Sequence, residues 1–386
     1  MSFTFLHTSD WHIGKPFGRF PAEQAAILRR ARLLAIDRLA DAALSGGAAH
    51  VLVAGDVFDR PGISDLDLRA PLEQMRAHPA LTWHVIPGNH DPAVSGGAWE
   101  RAMRAGLPAN VRLHLEPRAI EIASGVLLLP APLFSKATST DPTAWMDTAA
   151  TSEGVLRIGL AHGSVQGFGG EQQASIQIAP DRARRAGLSY LALGDWHGHL
   201  AIGNATAYSG TPEPDGYLDN AAGHALLVTL DGPGAAPHVS RKDTAQHRWH
   251  QHRIEASRTT DIAALEGTVE GWGALARNAL LAVEARGRAS PAEDHAIRQR
   301  LDRLETRIFH LDRKLDALTI VAGDTDLEAL EDGPIRDIAR ELSAIASRVS
   351  EEGSGGNGDG AVAARALRHL FELADPPASR LEGEAA

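Results

Sequence analysis

Residues 51–59 read VLVAGDVFD, four apolar residues closed by a glycine and then two aspartates three apart. A run so short and so apolar, stopped by Gly55, is a strand buried on both faces and running into a loop. Working outward, five further stretches also read as buried strands running into loops: FTFL (3–6), WHVIPG (83–88), VLLLPAP (126–132), RIGLAHG (157–163) and YLALGD (190–195). Between FTFL and HVLVAG (50–55), Leu28, Ala31, Ala35, Leu39 and Ala42 recur at helical spacing and Gly46-Gly47 stops the helix. Strand, helix and strand make a crossover unit, so the chain from its start to about residue 240 is expected to be α/β.

The 386 residues are too many for one small core and suggest two or three units. A hydrophobic content of 44% with 23% charged residues is that of a globular protein. No apolar run approaches the roughly 20 residues that span a bilayer, and no basic stretch followed by an apolar core opens the chain, which makes the cytoplasm the expected location and a membrane no partner. Cysteine is absent, so disulfides, thiolate metal sites and cysteine nucleophiles are excluded. Any metal must be held by His, Asp, Glu or Asn, a donor set for hard or borderline ions. The formal charge of −11 argues against coating nucleic acid by bulk electrostatics. It leaves a phosphodiester substrate open, because bound divalent ions supply positive charge locally.

A second region begins at about residue 245. LLAVEARGR (280–288) reads as a strand, Ser290-Pro291 as a helix start, and Ile297, Leu301 and Leu304 as one stripe of a helix over about 291–306. RIFHLDRKLDALTIV (307–321) then returns as extended chain, completing a small β-α-β unit over 245–322. A helical segment follows over 323–350, then EEGSGGNGDG (351–360), a flexible linker by composition. AVAARALRHLFELA (361–374) is an Ala-rich helix carrying Val362, Leu367, Leu370, Phe371 and Leu373, followed by a tail to residue 386. After a flexible linker this helix can reach a partner's groove or pack back on its own unit.

The loops carry the chemistry. HTSDWHIG (7–14) follows FTFL, and strand alternation would send Asp10 and His12 to the same side. GDVFD places Asp56 directly after a strand and Asp59 three further on, and GNHD places Asn89 and His90 after another. His162 ends RIGLAH, and Asp195, His197 and His199 follow YLALG. Singly, each has an ordinary reading as a helix cap, a turn residue or a satisfied core histidine. Together they matter, because strand ends in an open α/β sheet converge on one crevice.

In these motifs the sequence resembles the calcineurin-like metallophosphoesterase superfamily, whose pattern is D-x-H, G-D-x-x-D, G-N-H-[DE], H and G-H-x-H. The match covers roughly residues 1–215, and with YSGTPE (208–213) it looks most like the SbcD and YhaO branch of DNA repair exonucleases. The resemblance implies a β-sandwich flanked by helices in αββα layers over 1–240, a small α+β capping domain over 245–322, and C-terminal helices. It implies two divalent ions bridged by Asp56, with Asp10, His12 and His197 on the first, and Asn89, His162 and residue 195 on the second. Water between ions about 3.5–4 Å apart would be acidified to hydroxide and attack phosphorus in line. His90 would serve as general acid, with the Asp59 carboxylate accepting its other ring proton.

Asp195 departs from the pattern, standing where the family carries the first His of G-H-x-H. Asp195 as ligand keeps the register; His197-Gly198-His199 would restore an H-x-H pair two residues further from YLALG. A third carboxylate makes the second site harder and favours manganese or magnesium, with iron also compatible, over zinc. Trp11 and Trp196 flank the loops as pocket walls or as surfaces for a base.

The resemblance thus implies a two-metal phosphodiesterase on DNA, a nuclease subunit in repair partnered by an SbcC-like or YhaN-like ATPase; the sequence leaves open whether a second copy of the chain joins it as a homodimer. Two alternatives stay open at this point: the same chemistry on a small nucleotide or lipid phosphoester, and a non-catalytic interaction subunit in which Asp195 marks a decaying site.

Overall fold

The computed structural model describes residues 2–168, 176–256, 259–351 and 359–374, which fall into two compact units, Met1–Arg248 and Trp249–Ala386. The first unit runs β1 (Phe3–Thr8), α1 (Ala22–Ser45), β2 (His50–Val53), α2 (Asp65–Arg76), β3 (Thr82–Val85), α3 (Ala98–Ala105), β4 (Val111–Leu113), β5 (Ile120–Ala123), β6 (Val126–Ala131), β7 (Leu156–His162), β8 (Ser164–Val165), β9 (Gln177–Ile178), α4 (Arg182–Arg185), β10 (Tyr190–Gly194), β11 (Leu200–Ile202), β12 (Thr206–Tyr208), β13 (His224–Leu230) and β14 (His238–Asp243). Two six-stranded sheets result, ordered β14-β13-β1-β2-β3-β4 and β11-β12-β10-β7-β6-β5.

The strands β1 to β4 pair in parallel because α1, α2 and α3 carry the chain back across the sheet between them. Alternation then sorts the side chains. Leu52, Ile86 and Val228 meet Leu128, Ile158 and Leu160 in a core between the sheets, while Val51, Val53 and Trp83 pack outward against Ile36, Leu39 and Leu72 of the helices. Leu129, Leu191 and Leu193 cover the outer face of the second sheet together with Met146 and Ala186. These are the αββα layers expected of the sequence. Helix α1 stops where Gly46 lies so close to Leu227 that a Cβ would stand 2.5 Å from its side chain, and Gly47 turns left-handed at φ 74°.

Three histidines form a row on the first sheet. His50 Nδ1 lies 3.0 Å from His84 Nε2, and His84 Nδ1 lies 3.1 Å from His114 Nε2. The three rings stack at centroid spacings of 5.3 Å. Burial keeps them neutral, lowering His84 to about 2 and His114 to about 4. The unfolded chain binds these protons at an ordinary pKa near 6.5 and the folded chain refuses them, so stability is full above that pH and is lost as pH falls toward the folded values. At pH 5.5 His84 and His114 should each cost about 1.4 kcal/mol relative to neutral pH. Urea unfolding at pH 7.5 and 5.5 checks this, and a His84→Leu/His114→Leu double variant should show a flatter profile.

The second unit runs β15 (Arg248–Glu255), α5 (Thr259–Gly271), β16 (Ala279–Ala289), α6 (Pro291–Glu305), β17 (His310–Lys314), β18 (Leu318–Ile320), α7 (Asp324–Glu328), α8 (Pro334–Glu351) and α9 (Asp359–Ala374). Helix α6 starts at Ser290, whose side chain accepts from the Glu293 backbone N–H while the Glu293 carboxylate accepts from Ser290 N–H. Its Ile297, Leu301 and Leu304 are buried, and β16 pairs in parallel with β17 and with β18. Helix α9 packs on its own unit: Leu367 is fully buried in that core and Leu370 and Phe371 lie against it. Val362 and Leu373 stay exposed, at 61% and 79%. Most of the expected linker 351–360, and the tail after Ala374, lie outside the described residues. No helix among the described residues is long and apolar enough to cross a membrane.

Candidate metal centre

The loops after β1, β2, β3, β7 and β10 meet at one end of the two sheets. Asp10 and His12 lie beyond the end of β1, and their convergence comes from the loop rather than from strand alternation, since both are left-handed at φ 56° and 44°. The loop is zipped onto its neighbour by Asp10 N–H to Gly55 O (3.1 Å), His12 N–H to Asp56 O (3.0 Å) and Ile13 N–H to Val57 O (2.8 Å). Asp56 and Asp195 are also left-handed, at φ 54° and 109°. Such backbone is costly for residues with a Cβ and collects at functional sites. Glycines let the loops touch: a Cβ on Gly88 would stand 2.1 Å from Asp56 Oδ1, and one on Gly194 2.1 Å from Ala54 O.

Asp56 sits in the middle, 2% exposed. Its Oδ1 accepts from His90 N–H at 2.9 Å, and its Oδ2 stands 3.4 Å from His162 Nε2 and 3.7 Å from His12 Nε2. His162 Nδ1 faces Ala54 O at 2.8 Å and donates to it, which turns Nε2 inward, 2.9 Å from Asn89 Oδ1. Asp195 donates its N–H to the Asp10 carboxylate (3.1 Å), accepts from Ser164 Oγ at 2.5 Å, and holds Oδ1 3.8 Å from His162 Nε2. His12 Nε2 and His197 Nε2 are 3.0 Å apart. The ligand atoms of Asp10, His12 and His197, of Asp10, Asp56 and His162, and of His12, Asp56 and His90 each lie within 4.8 Å of one another.

One contact differs from the expectation, and the slid register finds no support in the position of His199. His90 Nδ1 faces the main-chain carbonyl of Asp59, at 2.9 Å, rather than its carboxylate, which lies 3.6 Å from His12 Nδ1. His199 turns away, with Nδ1 3.1 Å from Tyr208 O on β12. Trp11 is 2% exposed, bonded to Thr8 Oγ1 and edge-on to Trp83, so it offers no face to a base. Trp196 lies against the outer core of the second sheet.

The electrostatics call for a cation. Burial pushes the Asp10 carboxyl up and pushes His12 well down, whereas Asp56 is held below its ordinary range, against burial, by His162, His12 and His90. His162 is in turn raised, against burial, by Asp56, Asp10 and Asp195. His12 Nδ1 is buried without a hydrogen bond, and His197 Nδ1 faces the carboxylate of Asp215. Were the proton on Nδ1 of both rings, their two Nε2 lone pairs would face each other, and an ion between them would relieve that arrangement. The residues present therefore fit a divalent metal bound through nitrogen and oxygen.

Sequence reasoning missed four supporting residues: Arg32, Ser164, Asp215 and Asp91. Asp91 is fully buried, pushed up by burial and by Asp56, and accepts from Gly88 N–H at 2.6 Å and Phe58 N–H at 3.1 Å, pinning the two loops together. Arg32 had a signal, a charge within the apolar stripe of α1.

The chain is similar in sequence to known phosphoesterases. The model of the calcineurin-like phosphoesterase family matches residues 3–181, a span that ends before the loop holding Asp195 and His197. The SbcD component of the SbcCD nuclease of Rhodobacter capsulatus is 31% identical over 281 residues, 60% of this chain and 67% of that protein. The uncharacterized metallophosphoesterase YhaO of Bacillus subtilis is 25% identical over 213 residues, 50% of this chain and 48% of that one, so the chain spans about half of YhaO's length. The crystal structure of TT1561 of Thermus thermophilus aligns at a TM-score of 0.39 and 13% identity, covering 62% of this chain and 99% of that one. Since the family match takes in every loop from Asp10 to His162 and the SbcD alignment takes in two thirds of that relative, the chain belongs to the calcineurin-like phosphoesterase family.

Proposed function

We propose that the chain is a two-metal phosphodiesterase acting on DNA, a nuclease subunit in repair that works with an SbcC-like ATPase. The observation that carries the reading is the convergence of Asp10, His12, Asp56, Asn89, His162, Asp195 and His197 at one end of the two sheets, around a buried carboxylate that reaches histidines on both sides. In this reading Asp10, His12 and His197 would hold one ion, Asn89, His162 and Asp195 would hold the other, and Asp56 would serve both. Manganese suits the set best, because Asp195 replaces an imidazole by a hard anionic oxygen. Bound divalent ions supply Lewis acidity toward phosphoryl oxygens and a water acidic enough to act at neutral pH.

His90 acts beside the ligands. Its Nδ1–H is engaged by Asp59 O, so in the imidazolium form the Nε2–H is free to be given to the leaving-group oxygen. Support for DNA as substrate comes from the likeness to the SbcCD nuclease, and the same likeness suggests the ATPase. The acidic chain fits a division of labour in which much of the DNA grip lies on that partner. The test is manganese-dependent cleavage of labelled DNA and of small phosphodiesters by the purified chain, with and without the ATPase. Cleavage of DNA that rises with the ATPase is expected; turnover of small phosphoesters alone would remove the DNA assignment.

Asp195 offers a sharper test of the ligand set. Asp195→Ala should lose one ion selectively, whereas His199→Ala, whose ring is bonded to Tyr208 O, should leave both in place. Asp195→His should retain two ions and shift preference toward zinc. Elemental analysis reads all three, and loss of metal in His199→Ala with full retention in Asp195→Ala would reverse the assignment.

A further inference from the structure

We propose that Asp215, held by Arg32 and Lys15, is the positioning residue for the half of the centre formed by Asp10, His12 and His197, and fixes which nitrogen of His197 faces an ion. The inference rests on the two-metal reading. Asp215 lies in the loop after β12, outside every motif that identifies the family, and its side chain is 7% exposed. Its Oδ1 stands 3.5 Å from His197 Nδ1, while its Oδ2 is paired with Lys15 Nζ and lies 3.7 Å from Arg32 Nη1.

Arg32 ties this carboxylate to the other two ligands. It is 3% exposed in the middle of α1. Its Nε donates to Trp11 O at 2.8 Å and its Nη2 to Asp10 O at 3.1 Å, which clamps the left-handed turn between Asp10 and His12. Its Nη1 donates to Glu213 O at 2.8 Å and its Nη2 also reaches Thr211 Oγ1 at 3.3 Å, both on the loop that carries Asp215. One guanidinium thus joins the backbone of the first two ligands to the loop that faces the third. A histidine ligates through a bare nitrogen, and the group facing its other nitrogen decides which one is bare. Asp215 draws the proton to Nδ1, leaving Nε2 bare and 3.0 Å from His12 Nε2.

A purely structural role, in which Asp215 only neutralises Arg32 and Lys15, predicts a change in stability and nothing more. The experiment uses the full chain labelled with ¹⁵N-histidine and stripped of metal, with the His197 resonances identified by their loss in His197→Gln. In the wild type His197 should carry its proton on Nδ1, and in Asp215→Asn that preference should weaken. Manganese titration of Asp215→Asn should show one of two ions bound about 10- to 100-fold more weakly and the other unchanged, with part of the loss restored in Asp215→Glu. A wild-type His197 protonated on Nε2, or an Asp215→Asn protein that binds both ions as tightly as wild type, overturns the role. The wild-type tautomer decides the matter if Asp215→Asn fails to fold. A wild-type chain that does not bind two ions overturns the two-metal reading itself, and the role falls with it; two ions bound by both proteins with equal affinity overturns the role alone.

Discussion

Asp56→Asn is expected to leave no measurable phosphodiester cleavage and to reduce the metal content below two ions per chain. The amide has the shape of the carboxylate, so the fold should survive, and the tight approach of Gly88 leaves the side chain no other place to go. What changes is charge. The carboxylate is held ionised by His162, His12 and His90 despite its burial, and in the proposed centre it is the group common to both ions. Removing a principal fixed charge from a buried site costs on the order of 10³-fold in rate, and losing an ion costs more. Elemental analysis and cleavage of a labelled duplex check both halves. An Asp56→Asn protein with two ions and full activity would return Asp56 to a role in loop packing.

His90→Ala should lower turnover by about 10²- to 10⁴-fold while leaving both ions bound, the signature of a lost proton donor. Its Nδ1 is committed to the Asp59 carbonyl at 2.9 Å, which fixes the ring edge-on to His12 with centroids 4.8 Å apart. The ring is close enough to His12 and Asp56 to serve as a ligand, so the metal count is the deciding measurement. A His90→Ala protein that has lost an ion would make His90 part of the donor set. Because the orienting atom belongs to the main chain, Asp59→Ala should keep the ring in place and affect turnover far less.

The strands that run into the loops of the candidate centre were legible because each is short and apolar, and all but the first lead into a glycine. Those that were not read from sequence lack one of these marks. Val111–Leu113 and Leu200–Ile202 are three residues long, and His224–Leu230 is followed by no loop at the centre. The residues at the centre were legible as motifs, but their geometry was not. Strand alternation brings Asp10 and His12 together for the wrong reason, since the strand ends at Thr8 and left-handed backbone does the turning. Asp215 was invisible because its role depends on a contact between residues 18 apart in sequence, and Ser164 because a serine after a glycine reads as loop. Helix α6 of the second unit was legible from its apolar stripe and the Ser290 cap, whereas packing of Leu367 into its core could not be separated in sequence from a free amphipathic helix.

Of the six described non-glycine residues with left-handed backbone, four, Asp10, His12, Asp56 and Asp195, lie at the candidate centre. Glycine would adopt each of these conformations with less strain, so exchanging any one of them for glycine should raise thermostability while removing a candidate ligand. All four positions carry side chains that oppose folding and can hold cations. The stability these side chains forgo is the cost of presenting three carboxylates and an imidazole from tight loops at one place.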